Sequence, residues 1–424
     1  MPLPESLRAL RSPNFRRYYA GQAVSMIGTW MQSVAVMWLA YRLSGSTVFT
    51  GLVGFLMGVP YLVISPFAGV LGDRVNRRKL LIVALALMGL QSAVLAVLTG
   101  LGMMTLPILA GLVLFAGICN AVETPTRQSI FLQMLDKRED LPNAIALNSM
   151  LMNGTRLVGP SLGGLLIAAF DETVCFALNA VSYIAVLVAL TGMRVQRRPE
   201  RAPSHPLADL AEGWRYTMGT LPLRRLLLTL GAVSFAISPY TTLMPAMTVR
   251  IFGQGSELVG VFIGAVGLGA LISAVTLARR STVVGLWQWI PASAGAAGIG
   301  CIGFGASHWI AASFALMTVT GFGLFMTGAA VNTLLQSAID DDKRSRVMSY
   351  YTMFFIGVAP FGHLSAGWLA DQVGVQLTYI AMGALSLFAG LAFLYQLPTF
   401  RAALLPVYVA RGIIPASEEA DRKP

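Results

Sequence analysis

Long apolar segments alternate with short polar ones along nearly the whole chain of 424 residues. Twelve such segments occur, the first over 18–41 and the last over 376–397. Each is about 20 residues or longer, which is the length that a helix needs to cross the hydrocarbon core of a bilayer. The pattern therefore predicts an all-α membrane protein with twelve transmembrane helices.

The longest polar stretch between these segments divides the chain nearly in half. Residues 194–222 are rich in Pro and Arg, and we expect a cytoplasmic linker with a short surface helix near 207–218. The other predicted domains are an N-terminal six-helix bundle (1–193), a C-terminal six-helix bundle (223–397) and a polar, mobile cytoplasmic tail (398–424).

The two halves share a pattern at an offset of 200 residues. In each, a basic loop leads into a helix that contains an X-Pro step, passes through small residues and ends near an Asp. The matched positions are Ser149 and Ser349, Gly159-Pro160 and Ala359-Pro360, and Asp171 and Asp371. A parallel repeat of six helices is typical of secondary transporters, which bind substrate between two bundles.

Positive charge is concentrated in alternate gaps between the apolar segments. Of the 30 Lys and Arg residues, 27 lie at the termini, in alternate gaps or, for Arg127, in the last turn of the span that leads into such a gap. Arg42 and Arg250 lie in the opposite gaps, and Arg156 lies within a segment. Because basic residues stay on the cytoplasmic side, both termini are predicted to be cytoplasmic. Nucleic-acid binding, the other interpretation of a net charge of +11, needs the charge on one soluble surface.

Few residues offer catalytic or metal-binding chemistry. The three cysteines and three histidines show no metal-ligand spacing, and no glycine-rich phosphate-binding loop occurs in the sequence. We therefore expect that the protein is not an enzyme, holds no metal or cofactor, and takes its energy from a source other than ATP.

A basic motif follows the second apolar segment, Gly69-Val-Leu-Gly-Asp73-Arg74-Val-Asn76-Arg-Arg-Lys79. It resembles the cytoplasmic loop of the major facilitator superfamily, G-x-L-x-D-R-x-G-R-R. The matching residues are Gly69, Leu71, Asp73, Arg74, Arg77 and Arg78. The motif departs at Asn76, where we expect Asn to replace Gly in a left-handed turn. The resemblance implies the twelve-helix major facilitator fold and a gating role for the loop; an ordinary basic anchor loop is the alternative.

The fifth apolar segment contains Gly159-Pro160-Ser-Leu-Gly163-Gly164. Pro160 is expected to kink the helix, and the glycines offer a smooth face to a neighbouring helix. The Gly-Pro-x-x-Gly-Gly core resembles the antiporter motif of major facilitator exporters, which implies export. A packing kink without directional meaning is the alternative.

Further segments resemble the enterobactin-exporter-like branch of this superfamily, also called the transmembrane secretion effector group. They are residues 10–21, 28–32, 125–128, 143–149 and 346–349. The resemblance implies a proton-driven exporter of siderophores, macrolides or other amphipathic small molecules in the bacterial inner membrane, working by alternating access. We expect a monomer whose partners are its substrate, protons and the lipid bilayer. The alternatives are a lipid or metabolite transporter of the same fold, and a receptor or assembly factor that transports nothing.

Three charged residues lie inside predicted spans, where a charge costs at least about 2.5 kcal/mol unless it is paired or hydrated. Glu123 and Arg127 are four residues apart and share a helix face, and Arg156 lies near the middle of the next span. We hypothesise a Glu123–Arg127–Arg156 network in which Glu123 carries the proton and Arg156 faces an anionic substrate or competes for Glu123. A purely structural ion pair is the alternative. Val113 stands where many facilitator exporters have an Arg, four residues before Gly117, so that route for proton coupling is not carried over.

Polar and aromatic residues within several spans are the candidates for a substrate cavity. Singly, each is explained by hydrogen bonding between helices; as a set, they favour a cavity suited to an amphipathic substrate. The candidates are Gln22, Thr29, Trp30, Gln32, Ser33, Asn120, Tyr240, Asn332, Gln336, Tyr350 and Tyr351. Two prolines flank Tyr240, at 239 and 245, and predict a broken helix there.

Overall fold

The computed structural model describes residues 4–74, 76–130, 134–193, 206–280, 282–340 and 343–414. These residues are almost entirely helical, and no strand occurs among them. The α-helices within these ranges are α1 (Pro13–Ser44), α2 (Thr47–Arg74), α3 (Arg77–Gly100), α4 (Leu106–Ile130), α5 (Leu141–Ala169), α6 (Glu172–Thr191), α7 (Pro206–Gly219), α8 (Leu221–Ile237), α9 (Tyr240–Arg250), α10 (Ser256–Ala278), α11 (Trp289–Ala306), α12 (Ile310–Ala338), α13 (Arg344–Thr352), α14 (Ala359–Val373), α15 (Val375–Tyr395) and α16 (Leu397–Ala410).

Among the described residues, eleven helical segments are long and apolar enough to cross a membrane. Two of them are interrupted helices: α8 and α9 together cover Leu221–Arg250, and Arg346–Val373 comprises most of α13 and all of α14. Helix α5 has 29 residues but is not among the eleven, because Asn153 and Arg156 lower its hydropathy. With α5 counted, the described residues contain the predicted twelve spans, and the expected all-α membrane fold is confirmed. The break near Tyr240 is also as predicted, since α8 ends at Ile237.

The chain divides into two compact units. The first comprises Met1–Pro203 with Thr241–Gly267, and the second comprises Ser204–Tyr240 with Leu268–Pro424. The segment Thr241–Gly267 thus packs with the first half of the sequence. The six-helix domain boundaries inferred from the sequence stay a prediction.

In the first unit, α1 packs so closely on α6 that two glycines of α1 leave no room for a side chain. A β-carbon placed on Gly28 would lie 2.5 Å from Asn179 Oδ1 and 2.7 Å from Ser182 Oγ. Seven residues earlier, a β-carbon on Gly21 would lie 2.9 Å from the carbonyl oxygen of Ala185. Because residues seven apart share a helix face, the two glycines let the helices approach closely. This approach brings the polar face of α6 against α1.

A second close contact in the first unit joins α5 to α10. A β-carbon on Gly164 would lie 2.6 Å from the Ser256 carbonyl oxygen and 2.8 Å from the α-carbon of Gly260. The Ser256 hydroxyl donates a hydrogen bond of 3.3 Å to the Gly164 carbonyl. Helix α5 continues through Pro160 to Ala169. Two segments that are far apart in sequence therefore meet here with almost no side chain between them.

In the second unit, the predicted linker helix is present as α7, over Pro206–Gly219. The Trp214 and Tyr350 rings lie 5.6 Å apart between centroids. Glu212 and Arg346 form an ion pair of 2.9 Å. Helix α7 is therefore held against the start of α13. The rest of the predicted linker, residues 194–205, lies outside the described part of the chain.

The residues after Leu397 continue as helix α16, which packs into the second unit. Phe400, Leu404, Leu405 and Tyr408 are all buried in its core. The hydroxyl groups of Tyr408 and Ser337 lie 2.8 Å apart. The expectation of a polar, mobile tail is therefore wrong for Leu397–Ala410, because these apolar residues recur at helical spacing and form one buried face. Residues 415–424 of that tail lie outside the described ranges.

The matched X-Pro steps of the two halves have different local structures. Helix α5 runs through Gly159-Pro160, whereas a π-helical segment, Met353–Gly357, precedes Ala359-Pro360. Proline has no N–H to donate, so carbonyl groups before it need another donor. Ser234 of α8 supplies one, since its hydroxyl donates to the carbonyl of Phe355. Single π-helical turns inside membrane helices are frequent at functional sites.

Candidate functional site

Two buried charges of the first unit lie one helical turn apart on α4. Arg127 Nε donates to Glu123 Oε1 at 2.8 Å, and the two residues are only 8% and 5% exposed. Thr124 Oγ1 donates to Glu123 Oε2 at 3.2 Å, and the hydroxyl of Tyr61 lies 2.8 Å from Thr124 Oγ1. The four-residue spacing places the carboxylate and the guanidinium on one face of the helix. The arrangement is a protonatable group whose charge is balanced locally inside a membrane helix bundle.

Arg156 of the hypothesised network lies on α5 and stacks on an aromatic ring. Its guanidinium carbon lies 5.2 Å from the centre of the Trp30 ring of α1. Gly159 makes room for this ring, since a β-carbon at Gly159 would lie 2.4 Å from Trp30 Cβ. Gly163, one turn on, faces the backbone of Met31. The structure thus pairs Glu123 with Arg127 and sets Arg156 on Trp30; the network of three charges stays a prediction.

A polar cluster lies between α1, α3 and α6. Gln32 Nε2 donates to Gln91 Oε1 at 3.1 Å, and Asn179 Nδ2 donates to Gln32 Oε1 at 2.9 Å. Asn179 also donates to Ser92 Oγ at 3.3 Å and accepts from Ser182 Oγ at 3.0 Å. Our sequence reasoning identified Gln32 and missed its partners. Their signal was available, because Gln91 and Asn179 are amides inside apolar spans.

The other candidates on α1 and α4 make mostly local contacts. The Thr29 hydroxyl donates to the Ser25 carbonyl at 2.9 Å, and Asn120 donates to the Ala116 carbonyl at 3.0 Å. Gln22 is buried, and its Oε1 has no hydrogen-bond partner among the described residues. Ser33 is half-buried. Gln22 is therefore an acceptor inside the bundle that a water molecule or a ligand could satisfy.

In the second unit, three of the candidates lie together beside the π-helical segment. Tyr351 donates to the Gly328 carbonyl at 3.2 Å and is hydrogen-bonded to the side chain of Asn332. Gln336, which is exposed, donates to Asn332 Oδ1 one helical turn away. Phe355 packs beside Tyr351, with 5.8 Å between ring centroids. Amide and phenol groups therefore stand next to an aromatic face.

The remaining two candidates in the second unit are buried and contact other groups. Tyr350 packs against Trp214 of α7. The carbonyl of Tyr240 accepts a hydrogen bond of 2.9 Å from the hydroxyl of Tyr379. Their role as cavity-lining residues stays a prediction.

The motif between α2 and α3 is only partly described. Arg78 joins α3 to the end of α6, donating to the carbonyls of Leu190 and Thr191 at 2.8 and 2.6 Å. Asn76 has φ −63° and ψ 108°, and its side chain accepts from the N–H groups of Arg78 and Lys79. The expected left-handed turn at Asn76 is therefore wrong, because Asn serves here as the N-cap of α3. Arg77 begins α3.

Other residues of this motif are described only in part. Gly69, Asp73 and Arg74 fall within helix α2, but their side chains lie outside the described part of the structure. The proposed gating contacts of Asp73 and Arg74 therefore stay predictions.

The two arginines predicted to lie on the outer side, Arg42 and Arg250, both form hydrogen bonds near the C-terminal end of α1. Arg42 makes a two-pronged pair with Glu172 of α6, with Nε–Oε1 at 2.8 Å and Nη2–Oε2 at 3.0 Å. Glu172 is only 2% exposed. Arg250 of α9 donates to the Tyr41 hydroxyl at 2.8 Å and to the Gly45 carbonyl at 3.0 Å. Sequence reasoning gave these residues only a topological meaning and missed their bonds.

Comparisons with known proteins agree with this architecture. Residues 5–409 match the transmembrane secretion effector family. The chain is 27% identical over 372 residues to a staphyloferrin A transporter of Staphylococcus aureus, covering 86% of this chain and 92% of that protein. It is 26% identical over 333 residues to an enterobactin exporter of Shigella boydii, covering 76% of each.

A solved structure supports the fold at low sequence identity. A bacterial homologue of the human lysosomal transporter Spinster, in an inward-facing and unoccupied conformation, superposes with a TM-score of 0.68. The match covers 94% of this chain and 98% of that one at 15% identity. Proteins of this kind are transporters and not enzymes. The chain therefore belongs to the transmembrane secretion effector family of the major facilitator superfamily and is a multi-pass membrane transporter of small molecules.

Proposed function

We propose that this transporter exports an amphipathic small molecule, a siderophore or a drug-like compound, by proton antiport across the bacterial inner membrane. In this proposal the protein works as a monomer by alternating access, with both termini in the cytoplasm. Relatives named for staphyloferrin A and enterobactin support a siderophore-like substrate. The basic residues in alternate gaps support the orientation.

The observation that carries the proposal is the buried pair of Glu123 and Arg127. A carboxylate inside a membrane helix bundle is a functional candidate by default, because its charge is costly there. Protonation of Glu123 would remove the charge that balances Arg127 and would favour conformations in which the pair is broken. A proton taken up on one side can thereby be linked to a change of conformation.

Proton coupling can be tested in proteoliposomes containing the purified protein and a pH-sensitive dye. A panel of siderophores and amphipathic drugs is added, and both substrate flux and proton movement are recorded. We expect substrate-dependent proton movement that collapses with the pH gradient and is lost in Glu123→Gln. Glu139→Gln is the matched control, since Glu139 is an exposed carboxylate whose ion pair among the described residues is with the equally exposed Lys137.

The same assay separates a proton carrier from a structural ion pair. If Glu123→Gln is well folded and still moves protons with substrate, Glu123 is not the carrier, and its pair with Arg127 only holds the bundle together. Well-folded wild-type protein that moves no compound of the panel would shift the assignment to a lipid substrate or to a role without transport.

A further inference from the structure

A cluster of arginines and tryptophans lies in the second unit, where α10 ends and α11 begins. Its guanidinium groups lie over indole rings: Arg280 Cζ is 5.8 Å from the centre of the Trp289 ring, and Arg401 Cζ is 6.0 Å from that of Trp287. Arg279, which is exposed, adds a third positive charge beside Arg280. The end of α10, residues 287–289 at the start of α11, and helix α16 contribute these two pairs. Because Trp287 and Trp289 are two positions apart in the chain, we refer to the two pairs and Arg279 together as the Arg/Trp cluster.

The Arg/Trp cluster offers hydrogen-bond donors that lack acceptors. Arg280 Nη2 donates to the Val284 carbonyl at 3.0 Å. Arg280 Nε and Trp287 Nε1 are buried and have no hydrogen-bond partner among the described residues. Arg and Trp side chains can donate but cannot accept. No acidic residue of the described part of the chain forms an ion pair with Arg279 or Arg280. The exposed charge of Arg279 and the half-buried charge of Arg280 therefore suit an anionic ligand with acceptor oxygens, such as a phosphate group.

The surface next to the cluster indicates where this phosphate comes from. On α10, Ile272 and Val275 are 43% and 44% exposed, one to two turns before Arg279. In a membrane-spanning helix these residues face acyl chains, whereas tryptophans near a helix end are typical of the headgroup level. A phospholipid can place its phosphate on the cluster and its chains along α10, whereas a free phosphate ion gains nothing from the apolar residues.

We propose that the Arg/Trp cluster binds the phosphate headgroup of an anionic phospholipid in the cytoplasmic leaflet. Basic pockets between membrane helices on the cytoplasmic side are suited to such headgroups, and each arginine near the surface adds about 1 kcal/mol of attraction. The inference rests on the proposed orientation of the chain. It is independent of the substrate and of proton coupling, so it survives if the transport proposal fails.

Native mass spectrometry of the purified protein in detergent tests the proposal, with phosphatidylglycerol and phosphatidylcholine as the probe lipids. We expect phosphatidylglycerol to bind more tightly, and the double variant Arg280→Gln/Arg401→Gln to weaken that binding about 30-fold. Arg16→Gln/Arg17→Gln is the matched control, because it removes the same charge from exposed positions of α1. The control should bind phosphatidylglycerol as the wild type does.

Three results would overturn the proposal. They are equal weakening in the test and control variants, equal affinity for both lipids in the wild type, and displacement of bound phosphatidylglycerol by an equal concentration of inorganic phosphate. The variant Arg280→Lys/Arg401→Lys guards against misfolding, since Lys keeps the charge but loses the planar group that stacks on Trp. We expect it to bind the lipid more weakly than the wild type; unchanged binding would refute the assigned geometry.

Discussion

The polar cluster around Asn179 allows a quantitative prediction for the stability of the first unit. The Asn179 side chain takes part in three hydrogen bonds, to Gln32, Ser92 and Ser182, and it is fully buried. Hydrogen bonds between membrane helices contribute about 0.6 kcal/mol each on average. Leu has the same branching of heavy atoms as Asn but bulkier methyl ends, so Asn179→Leu removes the three bonds without opening a cavity. We expect the free energy of unfolding to fall by about 2 kcal/mol.

Equilibrium unfolding in mixed micelles with a denaturing detergent, followed by tryptophan fluorescence, measures this change. Asn153→Leu is the matched control, because Asn153 donates only to the Ser149 carbonyl of its own helix. We expect the control to change the free energy of unfolding by less than about 0.5 kcal/mol. Equal effects of the two substitutions would refute the reasoning, since they would show that the bonds of Asn179 across helices do not set the cost.

Three further substitutions test other contacts, each by the same unfolding measurement. Gly164→Leu should lower the free energy of unfolding by about 1–3 kcal/mol, because the new side chain overpacks against α10. Gly154→Leu on the same helix, where a β-carbon meets nothing within 4 Å, should lower it far less. Similar losses in the two variants would disprove the close contact. Arg42→Gln should lower the free energy of unfolding by about 1–3 kcal/mol, because it leaves the Glu172 carboxylate buried without its partner. Adding Glu172→Gln should restore most of that stability. A double variant as unstable as Arg42→Gln would mean that the pair does not act as a unit. Ser234→Ala should lower the free energy of unfolding by about 1 kcal/mol, because it leaves the Phe355 carbonyl of the π-helical segment without its donor. A variant as stable as the wild type would show that this hydroxyl is dispensable.

The membrane fold was predictable because it depends on signals that act over short distances. An apolar run of the right length must form a helix in a bilayer, and basic residues orient its ends. The linker helix α7 was also predictable from a short-range signal, because Leu210, Trp214 and Met218 recur at a spacing of four residues. Helix α16 was missed because Leu397–Ala410 is too short to cross a bilayer, and its buried face, formed by Phe400, Leu404, Leu405 and Tyr408, depends on packing against other helices. Such a face is stable only when a partner surface exists, and a single sequence does not display that surface.

The candidate site was predictable in part. The Glu123–Arg127 pair could be inferred because both residues lie on one helix, where spacing alone fixes their proximity. The partners of Gln32 and Arg42 lie 59 and 130 residues away. Contacts between residues so far apart in sequence cannot be derived from the spacing within one helix. The π-helical segment could not be predicted, because the two X-Pro steps look alike in sequence and the donor that α8 supplies to the Phe355 carbonyl is 121 residues away.

The glycine contact between α5 and α10 has a consequence for the rate at which it can be remade. When two surfaces covered with long side chains come together, each side chain loses rotamer freedom, at a cost of up to about 2 kcal/mol. Gly164 and Gly260 have no rotamers to lose, and the hydrogen bond from Ser256 is donated to a backbone carbonyl that is already in place. If α5 and α10 separate during a transport cycle, they can return to contact without restricting side-chain rotamers at these glycines. The entropic barrier to closing is then small, and other steps set the turnover.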